Sequence, residues 1–204
     1  MSFNPQIPDW GKNLSANNLK KLLTYHNWLT NTGIKTGLIS PKPQQFIWDE
    51  FVIHSLYFYK IILDLKLPSS DIYDLGTGAG IPGIPVGIVS DKRVNLVDIK
   101  QKRIFELERF LSAHKYLNIK AVKGDAELFL KNEHNATFLM RCFIPKSDLI
   151  KKINKYKSNN NNNTFIVSSK SSSANFSSEA FHVKQNRFLI NKDAYRFIDV
   201  ITVK

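Results

Sequence analysis

A glycine-rich stretch at residues 71–83 constrains the fold of this chain more than any other feature. Its sequence is Asp-Ile-Tyr-Asp-Leu-Gly-Thr-Gly-Ala-Gly-Ile-Pro-Gly. The apolar run 72–75 predicts a short strand, and the glycines let the backbone turn sharply and approach a ligand closely. Pro82 then suits the first turn of a helix, where a missing N–H costs nothing. The stretch therefore predicts a strand, a glycine turn and a helix start, with free N–H groups directed out of the strand end.

The surroundings of this turn are typical of a nucleotide-type cofactor site. Residues 78–83 satisfy the pattern G-x-G-x-x-G, which on its own also occurs in ordinary turns. The next apolar run, 94–97, ends at Asp98, about 20 residues after the glycines. Nucleotide-binding α/β folds place an acid there to accept hydrogen bonds from ribose. Together, the strand, the turn, the helix start and the distal acid predict a bound nucleotide-type cofactor.

The bulk composition fits a single domain. The chain has 204 residues, of which 43% are hydrophobic, and this is enough for one sizeable core. No stretch approaches the ~20 apolar residues of a membrane span, and the N-terminus lacks the regions of a signal peptide. A single cysteine, Cys142, excludes an internal disulfide and a cysteine-cluster metal site. We expect a cytoplasmic protein without membrane contact, and nothing in the sequence points beyond a monomer.

The net charge of +12 favours an anionic partner such as RNA, because basic surfaces gain affinity for phosphates through counterion release. A compositional explanation competes with this one. Lysine outnumbers arginine by 23 to 6 and there are 19 asparagines, as an AT-rich genome would produce without selection for binding. The charge therefore supports a nucleic-acid partner without identifying one.

Residues 1–66 are predicted to form a helical extension, and residues 67–204 the main core. After an irregular arm at 1–13, Ser15 is placed to cap a helix that runs to about Thr30. Residues 46–65 predict a longer helix, rich in aromatic side chains. His54 lies on this helix, and a lone helical histidine is ordinarily a packing residue.

From residue 71 the pattern changes to short apolar runs that alternate with amphipathic segments, which predicts β-α-β units around a parallel sheet with helices on both faces. The predicted strands are 72–75, 94–97, 120–124, 137–140 and 164–167, and the predicted helices are 100–116 and 149–157. Segments 180–186 and 195–203 predict closing antiparallel strands, so the sheet is mixed but mostly parallel. The asparagine run 159–163 predicts a surface loop, and the serine-rich segment 170–178 a second loop that could act as a lid.

Acidic residues at strand ends separate the candidate cofactors. Asp74, Asp98 and Asp125 or Glu127 follow successive strands, whose carboxyl ends line one crevice. S-adenosylmethionine suits such a site, with one acid near its ammonium and sulfonium side, one at the ribose hydroxyls and a third polar group towards adenine. Asp74 would instead repel the pyrophosphate of a dinucleotide. The acids favour S-adenosylmethionine, although the glycine pattern and Asp98 leave a nicotinamide-dependent oxidoreductase as an alternative.

No hydrolytic, redox or metal-binding pattern competes with this interpretation. The sequence has no Ser/His/Asp or Cys/His pairing and no histidine or glutamate cluster with metal-ligand spacing, so we expect no metal. Methyl transfer to guanine N7 needs no base, because N7 already offers a lone pair. Catalysis can then rest on aligning N7 behind the methyl carbon.

Four sequence motifs carry a resemblance to a known family. They are Asp74–Pro85 with its Pro-Gly-Ile-Pro tail, Leu96-Val-Asp98 followed by Lys102-Arg103, Ala126-Glu127, and Arg141-Cys-Phe143. In order and spacing they resemble the bacterial small-subunit ribosomal RNA guanine-N7 methyltransferases, called RsmG or GidB. The resemblance implies a Rossmann-like class I methyltransferase fold with added N-terminal helices. It also implies S-adenosylmethionine-dependent methylation of N7 of one guanine in 16S rRNA, with the small ribosomal subunit as partner.

The resemblance also implies site residues. The family's cofactor contacts fall on Asp74, Gly76, Gly78, Gly80, Ile81, Asp98, Ala126, Glu127 and Arg141. Lys170 resembles a family lysine near the cofactor, although Ser171 replaces the glycine that usually follows. Where the family has His-x-Leu-Asp-Ser, this chain has His54-Ser-Leu-Tyr-Phe58, so His54 becomes a candidate functional residue. The lost aspartate and serine leave open a methyltransferase that acts on another RNA or a non-enzymatic RNA-binding protein, and Asp125 stands where the family usually has arginine.

Overall fold

The computed structural model describes residues 3–67, 71–90, 92–156, 162–169, 176–177, 181–191 and 194–203. Predictions for Lys170, for most of the serine-rich loop and for residues 159–161 lie outside these ranges. Within them, none of the helices is long and apolar enough to cross a membrane.

In the described ranges, eight strands form one mixed sheet in the order β3-β2-β1-β4-β5-β8-β7-β6. The first five are parallel, and β8, β7 and β6 continue the sheet in antiparallel pairs. The strands are β1 (Ile72–Leu75), β2 (Val94–Asp98), β3 (Ile119–Lys123), β4 (Thr137–Met140), β5 (Thr164–Ser169), β6 (Phe176–Ser177), β7 (Phe181–Asn191) and β8 (Ala194–Val203). The predicted fold class is confirmed, including the closing antiparallel hairpin.

The part of the chain that the structure describes also contains seven α-helices. They are α1 (Ala16–Trp28), α2 (Gln44–Ile47), α3 (His54–Asp64), α4 (Gly83–Val89), α5 (Gln101–His114), α6 (Ala126–Asn132) and α7 (Lys146–Lys155). Ser15 caps α1 as predicted, because its Oγ accepts a hydrogen bond of 3.1 Å from the backbone N–H of Asn18. A π-helical segment, Trp48–Ile53, joins α2 to α3, so the predicted helix 46–65 is one helical run with a wider turn in its middle.

The sheet separates two apolar layers, because successive strand residues face opposite sides. One layer holds Ile72 and Leu139 together with side chains of α1, α3, α4 and α5. The other holds Tyr73 and Phe138 with side chains of α6 and α7. Helices therefore cover both faces, as the β-α-β pattern predicts.

The N-terminal helices reach the glycine-rich turn directly. The hydroxyl of Tyr25 on α1 donates to the carbonyl oxygen of Ala79 at 2.9 Å, in a fully buried contact. The arm before α1 is also packed, since the indole N–H of Trp48 donates to the carbonyl oxygen of Gln6 at 2.9 Å. The predicted arm is irregular in the structure apart from one short turn, and this contact holds it against the helical run. The division at residue 66 stays a prediction.

Two further expectations need correction. Asn163 is buried and is no part of a surface loop: its side chain accepts from Ala136 N at 2.9 Å and donates to Glu133 O at 2.8 Å. These hydrogen bonds satisfy backbone groups at the start of β4, which asparagine can do because it carries both a donor and an acceptor. Residues 176–177 form the short strand β6, although the sequence predicts a loop there.

Candidate functional site

The glycine-rich turn at 76–80 has the backbone geometry that only glycine adopts without strain. The three glycines have positive φ angles, which are +70° at Gly76, +59° at Gly78 and +86° at Gly80. Space is equally restrictive at Gly76, where an added Cβ would lie 2.2 Å from Cδ2 of Phe143. The turn is thus packed closely against the loop that follows β4.

Most backbone amides of this turn are already occupied by acceptors of the protein. Gly76 and Thr77 donate to Val97 O, Gly80 and Ile81 donate to Thr77 O, Gly78 donates to Asp98, and Gly83 donates to Asp74. The turn therefore does not present the row of free N–H groups that its sequence predicts. An anionic phosphate would find few amide donors here, unlike in a phosphate-binding loop.

Asp74, the third residue of β1, holds the turn from behind. Its side chain is fully buried, and Oδ2 accepts hydrogen bonds from Thr77 Oγ1 at 2.6 Å and from Gly83 N at 2.8 Å. The second oxygen, Oδ1, is buried without a hydrogen-bond partner in the described part of the chain. Burial raises the pKa of this carboxyl to about 7, although the hydrogen bonds from Thr77 and Gly83 oppose the shift.

Asp98, at the end of β2, joins the turn to the start of α5. Oδ2 accepts from Gly78 N at 3.1 Å and from Arg103 Nη1 at 2.9 Å, and Oδ1 accepts from Lys100 N at 2.9 Å. The carboxylate is only 3% exposed. Asp98 and Arg103 thus form a charge pair beside the second glycine.

A cavity of about 420 Å³ opens on the outer side of the turn. Gly76, Gly78 and Ile81 form one wall, and Arg103 and Arg141 lie on others. Of the residues predicted to contact a cofactor, Gly76, Gly78, Ile81 and Arg141 line this cavity directly. Asp74, Asp98 and Gly80 lie behind the lining and support it.

Arg141, which follows β4, connects this cavity with a larger one of about 760 Å³ and lines both. Its guanidinium lies over the ring of Phe51 at 5.0 Å, and its Nε donates to His54 Nδ1 at 3.5 Å. Both partners come from the π-helical segment or the residue after it. The N-terminal helical run therefore fixes the arginine at the junction of the two cavities.

The larger cavity is lined by charged groups from distant parts of the chain. Glu50 of the π-helical segment is 7% exposed, and its carboxylate accepts two hydrogen bonds from Arg196 of β8, one of them 3.0 Å from Nε. Lys146, the first residue of α7, donates to the fully buried carboxylate of Asp199 at 2.7 Å. Ser168 and Ser169 at the end of β5 complete one wall.

His54 on the wall of the larger cavity is neutral. Burial, together with the nearby charges of Arg141 and Arg196, lowers its pKa to about 3. Because an arginine can only donate, Nδ1 accepts from Arg141 Nε and the proton of the neutral ring lies on Nε2. This Nε2 is buried and has no partner among the described residues.

The two remaining predicted cofactor residues lie elsewhere. Ala126 and Glu127, at the start of α6, are not in the lining of either cavity. The Glu127 carboxylate is bound by Lys152 at 2.5 Å and by the hydroxyl of Tyr156, and these hydrogen bonds lower its pKa to about 2. Asp125, in the position of the family's arginine, caps α6 by accepting from Glu127 N at 2.9 Å.

Sequence reasoning missed Glu50, Arg196 and Lys146, although these residues line the larger cavity. Glu50 carries one usable signal, since it is an acid four residues before His54 on a helical run that is mostly apolar, although Asp49 beside it carries the same charge. Arg196 carries none, because its partner lies 146 positions away. Among the described residues no group of histidine, cysteine and acidic side chains could hold a metal ion.

Comparison with known sequences gives a consistent result. A family model described as rRNA small subunit methyltransferase G matches residues 18–191. The ribosomal RNA small subunit methyltransferase G of Flavobacterium johnsoniae is 30% identical over 168 residues, which are 77% of this chain and 74% of that protein. The corresponding protein of Mycobacterium leprae is 34% identical over 104 residues, but the match spans only 40% of its length. The chain thus matches less than half of some curated relatives.

Comparison with solved structures concerns the fold. The magnesium protoporphyrin IX methyltransferase of Synechocystis PCC 6803, solved with bound SAM, superposes with a TM-score of 0.57 at 15% identity, covering 93% of this chain and 99% of that one. A putative methyltransferase of Escherichia coli gives a TM-score of 0.53 at 13% identity, covering 73% and 85% of the two chains. At such identities the likeness shows a shared fold alone, which is the Rossmann-like fold of class I methyltransferases.

The close packing of Gly76 against Phe143 predicts a larger stability loss at Gly76 than at a matched glycine. Gly37 has a similar φ of +73°, but an added Cβ there would meet nothing within 4 Å. Gly37→Ala should cost about 1–2 kcal/mol for the left-handed backbone, and Gly76→Ala about 1–3 kcal/mol more because the Phe143 ring must move. Urea unfolding of both variants measures this, and equal losses would contradict the packing argument.

The raised pKa of Asp74 predicts a pH-dependent contribution to stability. The pKa is about 7 in the folded protein and 3.8 in the reference state, so the folded chain keeps a proton that the unfolded chain releases. Relative to Asp74→Asn, wild-type stability should therefore fall as pH rises from about 4 to about 7, by at most about 1.4 kcal/mol per pH unit, and level off above that. Urea unfolding of both proteins across this range measures the difference, and a constant difference would contradict the assignment.

Proposed function

Because the chain belongs to the rRNA small subunit methyltransferase G family, we propose that it methylates N7 of a guanine in 16S rRNA with S-adenosylmethionine. One observation of the structure carries the choice of cofactor. Most amides of the glycine-rich turn, including those of its three glycines, are bound to acceptors of the protein, while the outer side of the turn lines a cavity of about 420 Å³. The cavity accordingly fits a nucleoside without phosphates.

This observation also weighs against a nicotinamide dinucleotide. A pyrophosphate at this turn would need free N–H groups and would lie near the Asp74 carboxyl group. S-adenosylmethionine has no phosphate, and its ammonium and sulfonium groups are positive. A buried carboxyl with an unpartnered oxygen, such as Asp74, is stabilised in its charged form by a nearby cation.

Each predicted residue has a proposed role in this cofactor site. Gly76, Gly78 and Ile81 shape the wall, and Gly80 supports it from behind. Asp98 accepts hydrogen bonds from the ribose hydroxyls in place of the one that it now accepts from Arg103, which lines the cavity. Ala126 and Glu127 belong to the adenine side by resemblance to the family. Because the Glu127 carboxylate is held by α7, we assign the polar contact there to the backbone.

S-adenosylmethionine supplies an activated methyl group on its sulfonium. The residues of the chain contribute position: Arg141 at the junction of the two cavities orients the groups on either side, and the larger cavity holds the target base. No side chain has to remove a proton, because guanine N7 presents a lone pair. This agrees with the state of His54. Its ring is neutral and its one acceptor nitrogen, Nδ1, already binds Arg141, so no nitrogen is left to accept a proton from the substrate.

The proposed partner is the 16S rRNA of the small ribosomal subunit, which places the protein in the bacterial cytoplasm. Arg141, Lys146 and Arg196 line the larger cavity, and the net charge of +12 favours phosphate contacts around it. A monomer and a helical extension at 1–66 on a core at 67–204 remain predictions.

A non-enzymatic RNA-binding protein is the alternative that the structure motivates. Tyr57 and Phe58 stand where the family has aspartate and serine, and both serve packing. Tyr57 donates to Leu189 O at 2.8 Å and stacks on Phe188, and Phe58 is fully buried. Cofactor binding without methyl transfer would favour this alternative.

The enzymatic proposal predicts transfer of a tritiated methyl group from S-adenosylmethionine to 16S rRNA in small ribosomal subunits that lack the modification. Nuclease digestion and chromatography should identify the product as 7-methylguanosine. Label on another atom, or only on protein, would contradict the proposed substrate.

The assignment of Asp98 predicts a loss of cofactor affinity without loss of the fold. Asp98→Asn should weaken S-adenosylmethionine binding by roughly 10- to 100-fold, the usual effect of losing hydrogen bonds to a charged group. Asp71→Asn is a matched control, because Asp71 also pairs with an arginine, Arg93 at 2.8 Å. Asp71 precedes β1 and so lies at the amino ends of the parallel strands, whereas Asp98 lies at their carboxyl ends. Calorimetric titration measures both affinities, and equal effects would remove Asp98 from the site.

A further inference from the structure

Two polar side chains on one wall of the larger cavity offer opposite hydrogen-bonding groups. Glu50 and His54 are four positions apart on the same helical run, and both line the cavity. Glu50 presents acceptors, and His54 presents a donor. Side chains at this spacing on a helix lie about one turn apart and face the same side, so a single planar ligand can reach both.

The donor is His54 Nε2–H. Arg141 Nε points its proton at His54 Nδ1, so that nitrogen is the acceptor of the ring and Nε2 carries the hydrogen. Nε2 is buried and has no partner among the residues that the structure describes. A buried donor without a partner is unfavourable, and an acceptor supplied by a ligand would remove that cost.

The acceptor is the Glu50 carboxylate. Arg196 binds both of its oxygens through the guanidinium fork, which fixes the orientation of the group in a site where Glu50 is 7% exposed. A carboxylate has about four lone-pair positions, and the arginine uses two of them. The remaining positions lie on the outer sides of the two oxygens and point apart, so a single oxygen can accept the converging N–H groups of a ligand in the cavity.

This pattern matches one edge of guanine. The Watson–Crick edge of guanine presents the O6 acceptor beside the N1–H and N2–H₂ donors, whereas adenine presents a donor at N6 and an acceptor at N1. We propose that the Glu50 carboxylate and His54 Nε2–H determine the choice of base, with Glu50 accepting from N1–H and N2–H₂ and His54 donating to O6. The edge that they bind leaves N7 free, and RNA-binding proteins commonly recognise an exposed base by this edge.

The inference rests on the proposed function, because it assumes that the target base is guanine. It adds which residues distinguish guanine from adenine. In adenine, N6–H₂ would face the His54 donor and N1 would face a carboxylate, so both contacts would be repulsive. Glu50 and His54 therefore act as specificity-determining residues.

The test combines an enzyme variant with a base variant. Small subunits are assembled from 16S rRNA in which the methylated guanosine is replaced by inosine, which lacks only the N2 amino group. Wild-type protein should methylate guanosine with a kcat/KM roughly tenfold above that for inosine, because inosine lacks the N2 amino group and cannot form that hydrogen bond to the Glu50 carboxylate. For Glu50→Gln this ratio should fall below about threefold, because the charge of the acceptor is gone.

Glu106→Gln is the matched control, because Glu106 is also 7% exposed and lies next to an arginine, Arg109, but lines neither cavity. It should keep the guanosine-to-inosine ratio of the wild type. A Glu50→Gln ratio equal to that of the wild type would overturn the role of Glu50. If the wild type methylates no guanine of the subunit, the proposed function fails first, and this result is distinguishable from a failure at Glu50 alone.

His54 is tested by two substitutions that separate its donor from its bulk. His54→Gln keeps an N–H donor and His54→Phe removes it, so kcat/KM on guanosine-bearing subunits should be roughly tenfold lower for the phenylalanine variant. Titration with S-adenosylhomocysteine reports the cofactor site separately. Equal kcat/KM values for the two variants, or a loss of kcat/KM fully matched by a loss of S-adenosylhomocysteine affinity, would overturn the donor role.

Discussion

The site depends on the hydrogen bonds that Asp74 accepts from Thr77 Oγ1 and from Gly83 N. They join the end of β1 to the first residue of α4 and thereby close the glycine-rich turn between them. Once the turn is closed, Gly76 can pack against Phe143 and Gly78 can donate to Asp98. Burying a carboxyl group when only one of its oxygens has hydrogen-bond partners among the described residues is energetically unfavourable. A nearby cation would stabilise this carboxyl group, which is also the group that closes the turn.

Much of the fold could be predicted because its signals are local. Short apolar runs, the Ser15 cap and the spacing from the glycines to Asp98 each involve fewer than about 25 neighbouring residues, and they predicted every strand except β6 and most helices. Helix α6 was missed because it has only seven residues and follows its cap, Asp125, directly. Asn163 was misplaced because its partners, Ala136 and Glu133, are distant in sequence.

The candidate site was predictable only in part for the same reason. The glycines belong to one continuous motif, and their position on one wall of a cavity follows from that motif. The larger cavity instead combines the N-terminal helical run with β8, and the contact of Glu50 with Arg196 spans 146 positions. The sequence also did not reveal whether the amides of the turn are hydrogen-bonded within the protein. The same glycine motif can leave its N–H groups free or occupied, depending on whether acceptors such as Val97 O, Asp98 and Asp74 approach them.

The π-helical segment Trp48–Ile53 changes the rotational phase of the helical run that contains it. A wider turn takes up one extra residue, and one residue corresponds to about 100° around an α-helix. The side chains before and after the segment therefore belong to two separate helical phases. Glu50 of the segment and His54 after it line the larger cavity, whereas Phe51 lines the smaller one. A relative whose helix is regular throughout would present a different face at positions 54–58, so the chemistry of this wall can diverge through a single inserted or deleted residue while the fold stays the same.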